Sequence, residues 1–367
     1  MEVSEILPMH AQHADKMAFI RSVHHNNGDH FAAAHWMLTG RFGSTAADKN
    51  QKFPSVGSYI SRVRGPNNPN LPAYVGLPSA HSVYIYPGYQ GAAYLGASYN
   101  PFQVQNQQRY LSAKYKSPIK PPQILENVTA ESVGRSQNRF NLLTKIDGLR
   151  READQTGVMA SLDKYQQQAV NMILGGEARS AFDIEKEDPK LRDRYGRGPW
   201  GHYTLLARRI VEAGVTFVTV DMPHWDDHSR IKDGHGYKLP VVDQAVSALL
   251  DDLSLRGMLD DVLVIVMGEF GRTPRLNQGQ PGIPVPGRDH WGNAISVMMA
   301  GGGLQGGAIV GKTNDKAEHP IDRAVTPDNV LATVYRVMGI DTSQSFPDHS
   351  GRPIPILPGS EPIREIL

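Results

Sequence analysis

The sequence predicts an α/β protein built on a mostly parallel central sheet with helices on both faces. Three observations carry that expectation. Val262–Met267 is an unbroken apolar run that stops at Gly268-Glu269. Such a run is typical of a strand buried on both faces of a parallel sheet, with a polar residue delivered at its carboxyl end. From His202 onward, β-branched runs alternate with amphipathic stretches. Right-handed crossovers join such units into a parallel sheet. With 367 residues, 40% of them hydrophobic, the chain can bury a large core. No internal repeat or low-complexity linker divides it, so residues 1–367 are expected to form one domain, with a loop-rich insertion at about 43–122.

In chain order, Glu2–Lys16 reads as a short helix leading into a strand at Ala18–Val23. A polar turn, His24–His30, precedes a helix at Phe31–Leu38, with Asp29 or Asn27 as its cap and Gly40 past its end. Gly43–Pro122 is rich in Gly, Pro, Asn and Tyr and holds short apolar runs at Tyr74–Leu77 and Val83–Tyr86 but little helical periodicity. Loops of that length are usually functional or cover a cleft. Ser136–Gln155 and Ser161–Leu174 read as helices, and Ile184–Tyr195 as a charged, exposed stretch. Tyr203–Ala213 is an amphipathic helix closed by Gly214, and Val215–Val220 a strand. Leu239–Leu255 carries Val242, Val246, Leu249, Leu250 and Leu253 on one stripe. Ile295–Ala300 is a strand ending in the turn Gly301–Gly303, and Asp328–Met338 a last helix closed by Gly339.

Composition excludes several classes. A formal charge of +1 gives no electrostatic reason to expect nucleic acid or an anionic membrane as partner. The absence of cysteine removes disulfides, thiolate metal sites and a cysteine nucleophile. No run approaches the roughly 20 apolar residues of a membrane span. The first residues lack the basic-then-apolar pattern of an export signal.

Polar clusters gather where strands are expected to end, the edge at which open α/β sheets bind ligands. After Val220 come Asp221, His224, Asp226, Asp227 and His228; after Met267 come Glu269 and Arg272; before Ile295 stand Asp289 and His290. Carboxylates and imidazoles at one sheet edge suit borderline divalent ions such as zinc or manganese. Asp226 and His228, two apart, project to the same side of an extended segment and could chelate together. The blander alternatives are a solvated loop at 224–228, a Glu269–Arg272 salt bridge and a capped turn at Asp289-His290. In the turn before the first helix, His25, Asn27 and His30 could contact a ligand or a metal, and histidine is the natural proton carrier near neutral pH. His35 and Trp36, inside the helix, read as packing residues. Gly301–Gly303 lacks the lysine and hydroxyl of a P-loop and reads as a tight turn.

The segments HNNGDHFAAAHWMLTGR, GVTFVTVDMPHWDDH, VIVMGEFGRTPRLN, GRDHWGNAISVMMAGGGLQGG and TPDNVLATVYRVMGID, in that order, resemble the bacterial family known as domain of unknown function 1501. Through it the chain resembles the alkaline phosphatase and sulfatase superfamily. The resemblance runs over nearly the whole chain and is strongest from Gly214 to Gly351. It implies an alkaline phosphatase/sulfatase-like fold and one or two divalent ions, zinc, manganese or calcium, at the carboxyl edge of the sheet. It assigns Asp226 and His228 as metal ligands through the Trp-Asp-x-His motif, His290 as the late histidine ligand, and Glu269 as a further ligand at a position followed by Phe270. Relatives are often exported to the periplasm.

The same resemblance implies hydrolysis of a sulfate or phosphate ester, carried on a small molecule or a glycan. His30 and His25 would handle protons, Arg272 would pair bidentately with the anionic group, and Asn27 would contact substrate. Two departures weigh against a simple transfer. Counting back ten residues from Gly40, where sulfatases hold their nucleophile, lands on His30 rather than on a hydroxyl or a thiol. A histidine or a metal-bound hydroxide would have to serve instead. The first strand of the superfamily domain is also missing from the match, so either an oligomer or a partner chain covers the exposed edge or the local fold has rearranged. The rival expectation is a binding or scaffold protein that keeps the fold without the chemistry, using Gly43–Pro122 as a recognition surface for a polysaccharide.

Overall fold

The computed structural model of the protein describes residues 3–80, 88–104 and 176–367. The expected elements at Val83–Tyr86, Ser136–Gln155 and Ser161–Leu174, and the end of the Gly43–Pro122 stretch, lie outside the described residues.

Over the described residues the eight α-helices are α1 (Pro8–Ala11), α2 (His30–Thr39), α3 (Val56–Val63), α4 (Gly176–Phe182), α5 (Pro189–Tyr195), α6 (Pro199–Glu212), α7 (Ile231–Leu255) and α8 (Pro327–Val337). The strands are β1 (Met17–Val23), β2 (Tyr74–Leu77), β3 (Phe102–Gln103), β4 (Phe217–Val220), β5 (Val264–Val266), β6 (Gly271–Arg272), β7 (His290–Trp291), β8 (Ile295–Ala300), β9 (Ile309–Val310), β10 (Lys312–Thr313), β11 (Pro320–Asp322), β12 (Ser345–Pro347) and β13 (Pro353–Pro355).

Two sheets form the body of this mixed α/β fold. One has four strands in the order β5-β8-β1-β9, in which β8 runs antiparallel to both neighbours and β1 is parallel to β9. The other, β3-β2-β4, is parallel throughout. The expectation of a mostly parallel sheet therefore holds for three strands, and the apolar run at 262–267 sits elsewhere. Only Val264–Val266 is strand, paired antiparallel with β8, and Ile265 and Val266 are half-buried. An apolar run signals burial, and burial does not specify the direction of the neighbouring strand.

Helices do cover both faces of the four-stranded sheet. Alternation along β8 sends Ile295, Val297 and Met299 into a core shared with Met37 of α2 and Val330 of α8. Met298 and Ala300 enter the opposite core, with Trp200 of α6 and Val242, Val246, Leu250 and Leu253 of α7. Each such Val, Leu, Ile or Met side chain contributes about 1.5–3 kcal/mol by leaving water.

Two boundaries depart from expectation. Helix α7 begins at Ile231, eight residues before Leu239, and runs through Pro240. Gly234, Gly236 and Pro240 hide its first turns from a propensity reading. Within Gly43–Pro122, Val56–Val63 is a helix capped by Ser55, and Tyr74–Leu77 is the middle strand of the parallel sheet, so this part belongs to the body of the fold. α2 and α8 stand near their expected places: Asp29 caps α2 by accepting from the Phe31 and Ala32 amides, and Asn329 Oδ1 accepts from the Thr326 amide at the start of α8, whereas the charged stretch Ile184–Tyr195 holds helix α5 and buries Ile184 and Tyr195.

The register explains why distant segments meet. Val23, at the end of β1, pairs with Ile295, at the start of β8, and β5 runs the same way as β1. The exits of β1 and β5 and the approach to β8 thus share one sheet edge.

Candidate functional site

The loop after β4, residues 221–230, carries the hub of the site, Asp226. Its Oδ1 lies 2.8 Å from His290 Nε2, 2.9 Å from His228 Nε2 and 2.8 Å from Arg272 Nη2. Its Oδ2 lies 3.4 Å from His30 Nε2, beyond good hydrogen-bond length, and that buried nitrogen has no hydrogen-bond partner. His228 Nε2 and His290 Nε2 are themselves 2.9 Å apart. Ligand atoms of His30, Asp226 and His290 all lie within 4.8 Å of one another.

The far nitrogen of each imidazole fixes its orientation. His228 Nδ1 donates to Asp289 Oδ1 at 2.8 Å, His290 Nδ1 to the Gly28 carbonyl at 2.7 Å, and His30 Nδ1 to Glu269 Oε1 at 2.9 Å. A carbonyl or carboxylate can only accept, so Nδ1 carries a proton in each ring and Nε2 is the nitrogen that faces Asp226. Phe270 holds the rings from the side, stacked on His290 at 4.3 Å and tilted against His30 at 4.9 Å between centroids.

Electrostatics follow from this crowding. Burial alone would raise the Asp226 carboxyl, but the hydrogen bonds from His290 and Arg272 and the nearby His30 imidazole outweigh it and hold the group well below the usual carboxylate range. The Asp226 and Glu269 carboxylates raise the His30 imidazole to about 9. The hydrogen bond from His228 lowers Asp289.

Asp227, the next residue, turns the other way. Its carboxylate meets Lys238 Nζ at 2.5 Å and His235 Nδ1 at 3.3 Å on successive turns of α7. A Cβ at position 234 would stand 2.5 Å from Asp227 Oδ2, so only glycine lets the helix come this close. Burial would raise Asp227, but His235 and Lys238 bring it down.

The segments named from the sequence therefore converge, with a changed division of roles. Asp226, His228 and His290 sit together as expected, and His30 joins them with the nitrogen that faces Asp226. Glu269 is placed behind His30, on its far nitrogen, rather than at the hub. Arg272 pairs with Asp226 and not with Glu269; Nη2 also reaches the Trp225 carbonyl at 2.8 Å and Nη1 the Arg288 carbonyl at 3.1 Å. Both terminal nitrogens are thus engaged within the chain. His25 is buried, donates from Nε2 to the Glu269 carbonyl at 2.6 Å and accepts from the Asn27 amide at Nδ1. Burial lowers its pKa, so it stands as a neutral strut. Asn27 Oδ1 accepts from the Asp29 amide at 2.8 Å, the local bond of a turn residue.

Two residues of the site escaped the sequence reading. Lys238, 1% exposed, lies one turn before Val242 on the apolar stripe of α7, and a lysine in a core position is the signal that could have found it. Asn277 donates at 3.0 Å to both the His228 carbonyl and Asp289 Oδ1, while its own oxygen accepts from the Gly279 and Gly287 amides. Nothing in its local sequence distinguishes it from an ordinary turn asparagine.

Fold and site together define a mixed α/β protein with a histidine–carboxylate centre where the loop after β4 meets the strand ends of the four-stranded sheet. The chain belongs to the family described as protein of unknown function (DUF1501), whose profile matches residues 1–367. No curated protein matches the sequence. Among the described residues no helix is long and apolar enough to cross a membrane.

Proposed function

We propose that Asp226, His228, His290 and His30 hold a divalent transition-metal cation, and that the protein is a metal-dependent hydrolase of a sulfate or phosphate ester. One observation carries the reading. Three imidazoles, each anchored through Nδ1, aim Nε2 at a single carboxylate, and two of those nitrogens lie 2.9 Å apart. Lone pairs facing each other at that distance repel unless a proton or a cation lies between them. In a tetrahedral zinc site neighbouring ligand atoms stand about 3.3 Å apart, given bonds of about 2.0–2.1 Å, so small adjustments would suffice. A donor set of three nitrogens and one carboxylate favours zinc or manganese over calcium, which prefers six to eight oxygens.

When bound, the cation supplies Lewis acidity toward an oxygen of the ester. The chain's own groups do the rest. Asp289, Gly28 and Glu269 fix the rings, Arg272 holds Asp226 and its loop, and His30 Nε2, without a hydrogen-bond partner, would complete the ligand set on giving up the proton that its raised pKa keeps there near neutral pH. The motif resemblance to the alkaline phosphatase and sulfatase superfamily supports the choice of ester. One observation favours the rival reading of a binding protein without turnover: Arg272 already spends both terminal nitrogens inside the chain, which deprives a substrate anion of that clamp.

The test is elemental analysis after loading chelator-stripped protein with zinc or manganese, followed by hydrolysis of nitrophenyl sulfate and phosphate, for the wild type and His228→Ala. About one equivalent of metal or more, lost in the variant together with turnover while the fold persists, is the expected result. Metal without turnover on either ester moves the protein to the binding reading. No metal in the wild type refutes the centre.

A further inference from the structure

The two aspartates at 226 and 227 point to opposite sides of their loop, and the second is gripped with unusual thoroughness. The Lys238 ammonium is 1% exposed and is shared between Asp227 Oδ2, at 2.5 Å, and the His224 carbonyl. It also lies 5.1 Å from the centre of the Trp225 ring, which itself stacks on Trp200 at 5.6 Å. His224 is held at φ +74°, a conformation that a side chain disfavours, so the loop needs restraint to keep its path. Burying an ammonium is costly unless it is paired and hydrogen-bonded, and a lysine would not occupy a core stripe without a task there.

From this geometry we infer that Lys238 is a positioning residue for the Asp226 centre. By clamping the Asp227 carboxylate and the His224 carbonyl it fixes both ends of the segment 224–227, and so turns Asp226 and His228 toward His290. Gly234 and His235 complete the grip: the missing Cβ admits the Asp227 carboxylate to the helix surface, and the imidazole, whose Nδ1 bonds the Ile231 carbonyl, stands 3.3 Å from the same carboxylate oxygen. This assigns a purpose to the irregular opening of α7, whose glycines and buried lysine make it a poor helix start by propensity. The role resembles that of the outer partners that orient metal ligands, whose loss typically costs about 10- to 100-fold in metal affinity.

The zinc arm of the test rests on the cation reading of the centre; the ring arm does not. Lys238→Met keeps the length of the side chain and removes its charge, and Asp227→Asn breaks the same contact from the other side should the first variant fail to fold. Zinc affinity is measured by calorimetric titration of chelator-stripped full-length protein. The protonation of the His228 and His290 rings is read from long-range proton–nitrogen NMR spectra of the metal-free protein. Expected are zinc binding weakened by about 10- to 100-fold and loss of the single Nδ1–H form of His228, in variants whose circular dichroism matches the wild type. If the wild type binds no zinc but His228 still loses its fixed form in the variants, the positioning role stands and the cation reading falls. If His228 keeps its ring form in a folded variant, the positioning role is overturned whatever the zinc result.

Discussion

Two histidines of helix α2, His30 and His35, behave in opposite ways, and each stands for a group. His35 is fully buried, donates from Nδ1 to the Arg41 carbonyl at 2.8 Å and accepts from the Lys52 amide at Nε2, 3.2 Å away. Both nitrogens are spent on main chain, and burial lowers its pKa to about 4. His25 follows the same rule. His30, at the start of the same helix, spends only Nδ1, on Glu269, and leaves Nε2 facing Asp226 with His228 and His290. The difference lies in where the second nitrogen goes. A histidine closed by its own chain is a strut, whereas a set of histidines anchored on one side and convergent on the other is a site.

The largest expected effect breaks the convergent group at its hub. Asp226→Asn keeps the shape of the side chain but removes the charge that gathers the imidazoles and Arg272. Metal binding should fall by more than about a hundredfold, beyond what an outer partner costs. The thermal stabilisation that saturating zinc gives the wild type, roughly 4 kcal/mol at a thousandfold excess over Kd, should vanish with it. Zinc titration monitored by thermal unfolding checks this. An unchanged zinc response would place the cation elsewhere.

The closed group should reveal itself through acid. The unfolded chain takes up a proton on histidine near pH 6.5, whereas folded His35 does so only at about 4. Between those values the unfolded state binds the extra proton, so stability is complete above pH 6.5 and falls as pH drops toward 4. At about 1.4 kcal/mol per pKa unit, His35 accounts for roughly 3 kcal/mol of that loss. His35→Gln will be less stable at pH 7, but its urea midpoint should fall less between pH 7 and 4.5 than that of the wild type. Parallel acid profiles for the two proteins would show that His35 is not the buried neutral group.

This comparison also marks how far the sequence could be read. Strands at Met17–Val23 and Ile295–Ala300, the Asp29 cap and the glycine ends of helices were legible because each is written in a local pattern of alternation or turn chemistry. The polar clusters that hold Asp226, His228 and His290 were legible because each borders an apolar strand run, but their meeting was not, since β4 and β8 belong to different sheets. The direction of β8 relative to β5 was not, since an apolar strand looks the same beside either kind of neighbour. Nor was the exchange of roles between His30 and Glu269, because a residue's type does not say which ring nitrogen faces which partner. Lys238 was missed for a related reason: the glycines and proline that admit the Asp227 loop to α7 erase the helix signal around it.

Glu269 is the residue through which the two groups can be separated most finely, because it serves both. Its side chain accepts from His30 Nδ1 at 2.9 Å, and its main-chain carbonyl accepts from His25 Nε2 at 2.6 Å. Glu269→Gln leaves the carbonyl in place and keeps an oxygen for His30, but removes the charge. Zinc affinity should therefore fall by about 10- to 100-fold, the cost of weakening an outer partner. Stability at pH 7 in chelator should change by less than about 1 kcal/mol, since the bond to the buried His25 is untouched. Calorimetric titration and urea unfolding read the two quantities separately. A loss of stability as large as the loss of affinity would mean that the Glu269 carboxylate props the fold in the way His25 does, and the line drawn between strut and site would have to move to include it.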